Sequence, residues 1–127
     1  MATLELNKDN LDSTIKDNEI VLIDFWAEWC GPCKMFGPIF EKASEDHADV
    51  VFAQCDTEHQ QEVAAAFGIR SIPTLAVFKE QVMVFMQPGA LPAEVLEEIV
   101  TKTKELDMDE VRAKIAEAEA GEEKPQD

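Results

Sequence analysis

Cys30 and Cys33, separated by Gly31 and Pro32, are the residues of this chain best suited to do chemistry. Two intervening residues bring the second sulfur within disulfide reach. The pair follows closely on Ile20–Trp26, an apolar run rich in β-branched and aromatic residues. Such a run fits a strand buried on both faces of a sheet. Pro32 then stands where a first helical turn accepts proline, because its missing N–H is not needed there. The motif therefore falls at a strand-to-helix junction, with Cys30 at or just before the helix N-terminus. Unpaired N–H groups and the helix dipole stabilise an anion at that point. The thiolate is the reactive form of cysteine, so this placement is expected to lower the Cys30 pKa and create a nucleophile. Cys33, one turn deeper, is expected to be more buried and less reactive until a mixed disulfide forms. The implied reaction has two steps. Cys30 attacks a substrate disulfide; Cys33 then attacks the mixed disulfide, frees the reduced substrate and leaves Cys30–Cys33 oxidised. The short tether makes the second step fast.

Asp24 is the single charge inside the Ile20–Trp26 run. Burying a lone carboxylate is unfavourable, so its pKa is expected to rise. A buried acid upstream of the motif is a candidate proton acceptor for Cys33, directly or through a water. An aspartate that caps or hydrogen-bonds neighbouring backbone is the equal alternative. Trp29, beside the nucleophile, reads as exposed and functional, and Trp26 as core. Cys55 ends a later strand and reads as a buried, inert thiol, with a regulatory thiol as the alternative. A tetrahedral zinc site needs four ligands. Only Cys55, His47 and His59 could join the pair, and no second CxxC or HxxxH completes the set. The dithiol therefore reads as redox chemistry without metal. The two histidines read as surface or boundary residues with no partner by spacing.

These residues must be positioned by one modest domain. The chain has 127 residues, of which 46% are apolar, enough for a single core. The start, MATLELNKDN, has no apolar stretch of a secretory leader, and the chain reads as a soluble, cytoplasmic protein. Net charge is −16, spread along the chain: residues 1–106 carry 8 Lys/Arg against 19 Asp/Glu, and residues 107–127 carry 3 against 8. Nucleic-acid phosphates and anionic membrane surfaces would be repelled. The charge serves solubility, or steers the protein toward basic partners.

The element order reads β-α-β-α-β-α-β-β-α. Residues 2–6 form a short strand, and Asp9 or Asn10 caps a helix through Leu11, Ile15 and Lys16. After the motif, a helix runs to about Asp46 with Phe36, Phe40 and Ala43 on one face; Pro38 inside it predicts a kink. Val50–Cys55 is a strand, Glu58–Phe67 a helix stopped by Gly68. Leu75–Phe78 and Val82–Met86 form an antiparallel hairpin through a tight Lys79-Glu80-Gln81 connection. Pro88-Gly89 breaks that pattern, and Pro92 opens a helix carrying Leu96, Ile99, Val100 and Thr103. The first strands demand parallel crossovers and the last add an antiparallel pair, giving a mixed sheet with helices on both faces. The boundary falls near residue 106. Beyond it, Asp107-x-x-Glu110 resembles a capping pair, and Met108, Val111, Ile115 and Ala118 recur at helical spacing. Gly121 is expected to end that acidic amphipathic helix, with GEEKPQD disordered. The stripe docks on the domain or frays, with a dimer contact as the alternative. Val82, Met83, Val84, Phe85 and Met86 make an unusually apolar strand, with one face read as core and the other open to a protein contact.

The stretch Asp24-Phe-Trp-Ala-Glu-Trp-Cys-Gly-Pro-Cys-Lys34 resembles the thioredoxin active-site signature at every position. Phe67-Gly-Ile-Arg-Ser-Ile-Pro-Thr74 is similar to the family's second hallmark, Pro38 matches its helix-kinking proline, and Pro88-Gly89-Ala90 matches its glycine loop. The resemblance covers about residues 2–106. It implies a thioredoxin fold of about five strands, with the C-terminal helix as an addition. By resemblance Cys30 is the nucleophile, Cys33 the resolving thiol and Asp24 the buried acid. Trp29, Gly31, Pro32, Ile72, Pro73 and Gly89 would line an apolar substrate surface. Pro73 would be cis, packed on the disulfide and excluding metal, and the Ile72 backbone would pair with an extended substrate. The Gly-Pro dipeptide implies a reductant of protein disulfides, with no bound cofactor and with electrons from NADPH through a thioredoxin reductase. Many bacterial thioredoxins carry a lysine near the buried acid in the third strand; Phe52 takes that place here. Glu80-Gln81 stand where a hairpin glycine is usual. The rival reading is a binding subunit or holdase that uses the groove or the tail without redox turnover. The working form reads as a monomer, with a dimer through tail or hairpin as the alternative.

Overall fold

A computed structural model describes residues 2–123. Five strands form one sheet: β1 (Thr3–Glu5), β2 (Ile20–Trp26), β3 (Val51–Asp56), β4 (Thr74–Lys79) and β5 (Val82–Pro88). Their spatial order is β1-β3-β2-β4-β5. β1 and β2 pair parallel with β3, and β4 pairs antiparallel with β2 and β5. The expected mixed sheet is therefore present, with β2 at its centre. Helices α1 (Leu11–Lys16), α2 (Gly31–Asp46), α3 (Gln61–Ala66) and α4 (Ala93–Glu105) complete the domain, and α5 (Met108–Glu123) follows.

Strand period 2 sorts the core into two layers. Ile20 and Leu22 of β2 pack with Phe36 and Phe40 of α2, Phe52 of β3, and Leu96 and Val100 of α4. Val21, Ile23 and Phe25 face the other way, with Leu6, Ala53, Cys55 and Val63. Because β2 is central and covered on both faces, every one of its residues from Ile20 to Phe25 is buried. Asp24 lies on the α2 side by this alternation. Trp26, at the strand's end, is half-buried rather than core.

Local chemistry moved several expected boundaries. The helix expected from Glu58 starts only at Gln61. Asp56 Oδ1 accepts from the amides of Glu58 (2.9 Å) and His59 (3.4 Å), holding those residues in a turn. α3 ends as expected at Gly68, whose φ is +66°. Ile69 N–H donates to Ala64 and Gly68 N–H to Ala65, the paired bonds of a left-handed helix stop. Asn10 precedes α1 but does not cap it with its side chain. That side chain accepts from Asn7 N–H (2.8 Å) and donates to the Glu5 carbonyl (2.9 Å) instead. The hairpin turn is two residues, Glu80 and Gln81, with φ of 49° and 69°. Both occupy the left-handed region that glycine or asparagine usually fills. Glu80 is held there by its amide on the Glu19 carbonyl (2.8 Å) and its carboxylate on Arg112 (2.6 Å).

The C-terminal helix differs from expectation at its end. It passes through Gly121 to Glu123, because a single glycine among alanines and glutamates lowers helix stability without stopping it. The remainder of the expected disordered tail, residues 124–127, lies outside the described residues. Asp107 caps the helix as expected, accepting from Asp109 (3.0 Å) and Glu110 (3.3 Å) N–H. Only the first turns dock: Met108 is buried, Val111 half-buried, and Ile115 and Ala118 exposed. The two histidines also have partners that spacing did not show. His47 Nε2 meets Glu97 at 2.7 Å, tying the end of α2 to α4, and His59 Nδ1 meets Asp56 at 2.7 Å.

Lys79 fixes the junction between α4 and α5. It is 4% exposed. Its ammonium donates to the carbonyls of Thr103 (2.8 Å), Lys104 (3.0 Å) and Leu106 (3.0 Å). The Thr103 carbonyl also accepts from Leu106 N–H (3.2 Å), and Lys79 adds a donor to it and to the next carbonyls at the helix end, where a cation is also favoured by the dipole. Lys79→Met should therefore remove three hydrogen bonds from this junction and lower stability by about 2–3 kcal/mol. A lower urea midpoint at unchanged slope is the expected readout.

Candidate active site

β2 delivers the dithiol. Its last residue, Trp26, is followed by a short turn in which Cys30 N–H donates to the Ala27 carbonyl at 3.2 Å. Cys30 is then the N-cap of α2, in extended conformation, and its Sγ accepts from Cys33 N–H at 3.2 Å. The helix start thus presents an N–H directly to sulfur, the placement anticipated from the motif. The Cα atoms of Cys30 and Cys33 are 5.2 Å apart and their sulfurs are joined as a disulfide. The expected difference in burial is absent: each cysteine is 4% exposed. Ile72 packs over the pair with Ala27 and Trp26, and the Ile72 carbonyl lies 3.7 Å from Cys30 Sγ. The first cysteine is therefore sheltered by the loop facing it.

The other expected surface residues gather around this point. Trp29 is 69% exposed, and Gly31 and Pro32 are exposed beside it. Trp29 Nε1 donates to the Glu58 carboxylate. The Ile72–Pro73 peptide is cis. The Pro73 carbonyl accepts from Gly89 N–H at 2.8 Å, and Gly89 has a φ of +100° that only glycine adopts freely. One hydrogen bond thus joins the cis-proline loop to the glycine loop. Pro38 lies within α2 and does not end it. Lacking an N–H, it leaves the Lys34 carbonyl without its helical donor.

Asp24 is 1% exposed, and neither of its carboxylate oxygens has a hydrogen-bond partner among the described residues. Burial pushes its pKa from 3.8 to about 7; the Gln54 amide pulls the other way. Gln54 faces Asp24 in the β2–β3 register but forms no hydrogen bond of ordinary geometry with it. Phe52, read from the resemblance as standing in the place of a lysine near the acid, instead pairs with Leu22 and is fully buried against Phe40; the β3 residue across from Asp24 is Gln54. Asp24 lines a cavity of about 330 Å³ whose walls also include Trp26, Cys33, Lys34, Gly37, Glu41 and Gln54. Asp24 and Cys33 thus open onto one space. Trp26 Nε1 is likewise buried and unpartnered.

Sequence reasoning did not single out Gln54, Glu41 or Glu58. Gln54 could have been found, since it is a polar residue at a core-facing position of a strand, two places from Phe52. Glu58 could not, because its contact with Trp29 spans 29 positions. Cys55 is fully buried, and burial with the nearby Asp56 and Asp24 charges pushes its thiol up to about 12. It is buried as expected. Among the described residues no group of three or more His, Cys, Asp or Glu is arranged to hold a metal.

A disulfide at a strand-to-helix junction, faced by a cis-proline loop on a mixed sheet, defines a protein that exchanges thiols and disulfides. The thioredoxin family model matches residues 2–102. The Streptomyces coelicolor protein described as "Putative thioredoxin 2" is 60% identical over 119 residues, covering 94% of this chain and 89% of its own. That similarity extends past the family match into α5. Bacillus subtilis thioredoxin is 43% identical over 84 residues, 65% of this chain and 81% of its own. A mutant thioredoxin from Halobacterium salinarum superposes with a TM-score of 0.77 at 34% identity, covering 83% of this chain and 93% of its own. Spinach chloroplast thioredoxin f gives 0.75 at 32%, covering 81% and 94%. The chain belongs to the thioredoxin family. It is a thiol–disulfide oxidoreductase with the thioredoxin fold and a C-terminal helix, and acts as a protein-disulfide reductase. Nothing favours the holdase alternative.

The raised pKa of Asp24 makes a stability prediction. Between 3.8 and about 7 the folded protein holds a proton here that the unfolded chain releases. Stability must therefore fall as pH rises through this window. Asp24→Asn removes the penalty. It should match wild type near pH 4 and exceed it by about 2–4 kcal/mol at pH 8 in the oxidised protein, read by urea unfolding across pH.

Proposed function

We propose that Cys30 is the attacking thiol, Cys33 the resolving thiol and Asp24 the acceptor of the Cys33 proton. The observation that carries this reading is Cys30 at the N-cap of α2 with a backbone N–H on its sulfur. In the reduced protein that N–H and the helix start stabilise a Cys30 thiolate. The thiolate attacks a disulfide sulfur of the substrate, and the substrate's other sulfur leaves as a thiolate. Cys33 then gives its proton to Asp24 across the shared cavity. Its thiolate attacks Cys30 Sγ, the mixed disulfide breaks, and the second substrate sulfur departs. An acid titrating near neutral pH is matched to that transfer.

Trp29, Gly31, Pro32, Ile72, Pro73 and Gly89 form the surface that receives the substrate, with the Ile72 backbone as partner for an extended segment. The substrates are disulfide-containing proteins. Return to the dithiol draws on NADPH through a thioredoxin reductase, and the protein works in the cytoplasm. None of the helices, among the described residues, is long and apolar enough to cross a membrane. Residues 1–106 form the redox domain and 107–127 an appended segment. The monomer is the working unit, with Met108 at the start of α5 buried on the domain.

Insulin reduction with dithiothreitol or a thioredoxin reductase tests the redox assignment. Cys30→Ser should fall to the uncatalysed rate, while Cys33→Ser should accumulate a mixed disulfide with its substrate. Wild-type turnover no faster than Cys30→Ser would refute it. Sizing the full chain and a variant ending at residue 106 should give one monomeric species each.

A further inference from the structure

α5 carries a pattern that the dithiol chemistry leaves unused. Met108, Val111, Ile115 and Ala118 follow one another at spacings of three, four and three residues. That is the a/d seam of a coiled coil, narrower than the stripe of a helix packed on a domain core. The domain covers only the beginning of the seam. Met108 is buried and Val111 half-buried, whereas Ile115 is 38% exposed and every residue from Arg112 to Gly121 is exposed. Charge decides what can lie on the open part. The two cations of α5, Arg112 and Lys114, stand in its first half and are already paired, with Glu80 and Glu110. Residues 116–127 hold Glu117, Glu119, Glu122, Glu123 and Asp127 against Lys124 alone. No basic residue occupies the last turn of the helix, where the dipole favours cations and disfavours carboxylates. Glu119 takes the e position that flanks the seam, and Glu117 the c position on the other side of the helix. A second copy would set carboxylates against carboxylates on a chain whose net charge is −16. Phosphate backbones and anionic membranes are repelled for the same reason.

We propose that the open part of the α5 seam, from Val111 to Ala118, is a docking surface for a partner protein that presents a helix with an apolar seam flanked by lysine or arginine. The partner's apolar side chains cover Val111, Ile115 and Ala118. Its cations meet Glu119 and the acidic end of α5, supplying the positive charge that the helix itself lacks there. The seam is short, so the contact is weak and reversible.

The test uses the full chain and, as probe, a synthetic three-heptad peptide with leucine at a and d and lysine at e and g, beside the same peptide with glutamate at e and g. In nitrogen-15 NMR titrations the basic peptide should shift the amides of residues 111–120 and leave those of Trp29, Gly31 and Gly89 in place, and the acidic peptide should not bind. Ile115→Ser should weaken the basic peptide about tenfold through lost apolar contact. Glu119→Lys should weaken it about three- to fivefold by replacing an attraction with a repulsion. Glu117→Lys makes the same charge change on the other side of the helix and should stay within about twofold of wild type. Equal losses in the two lysine variants, or shifts centred on the dithiol surface, would show that the peptide follows net charge alone and would overturn the seam. Binding of the acidic peptide overturns the choice of a basic partner. A dimer of the full chain that Ile115→Ser dissociates does so too, making the occupant a second copy. Absence of saturable binding by either peptide overturns the proposal outright.

Discussion

A buried central strand running straight into a helix N-terminus is the constraint on which this molecule depends. β2 is covered by α2 and α4 on one face and by α1 and α3 on the other. A strand so enclosed cannot shift register without turning a core face outward. Its C-terminal end is therefore fixed in space, and so is the start of α2. The N–H of Cys33 aims at Cys30 Sγ because the strand leaves it no other place. The exposed Trp29 and the loops at Ile72–Pro73 and Gly89 then close around a point that the core has already set.

The same enclosure explains Asp24. A carboxyl in the centre of a five-stranded sheet is an unfavourable residue for folding, and among the described residues neither of its oxygens is hydrogen-bonded. The molecule accepts this because the group holds its proton up to about pH 7 and opens onto a cavity rather than onto tight packing. Beside Asp24 the cavity carries Gln54, the Trp26 indole and the charged side chains Glu28, Lys34 and Glu41. Core packing supplied by Phe36, Phe40 and Phe52 continues up to its edge. Stability and chemistry are thus opposed within a few residues of one strand.

Much of this was legible in the chain itself. The apolar run Ile20–Trp26, the cysteine spacing and Pro32 were enough to place the dithiol at a junction. The same continuous apolar run marked Asp24 as a buried acid before any contact was known. The sequence signal failed where side chains compete locally with backbone order. Asp56 captured two amides and shortened α3. Asn10 turned away from the helix it precedes. Gly121 looked like a stop, yet the surrounding alanines carried the helix through it. It failed again where partners lie far apart in the chain. Neither Lys79 reaching the end of α4, nor Glu58 meeting Trp29, nor His47 meeting Glu97 has a local signature. The equal shelter of the two cysteines depends on the Ile72 loop, 42 positions from Cys30, and so could not be read from the motif.

The placement of α5 separates two ends of the molecule. Thr74 of β4 lies next to the cis-proline, and Lys79 at the other end of that strand holds the root of α5. The five steps from Thr74 to Lys79 set these points about 17 Å apart. A fluorophore, surface tether or fused domain joined through α5 would therefore hang from the far pole and leave the mouth of the dithiol open. Equally, whatever grips that helix in the cell could hold the protein in place while its sulfurs continue to turn over.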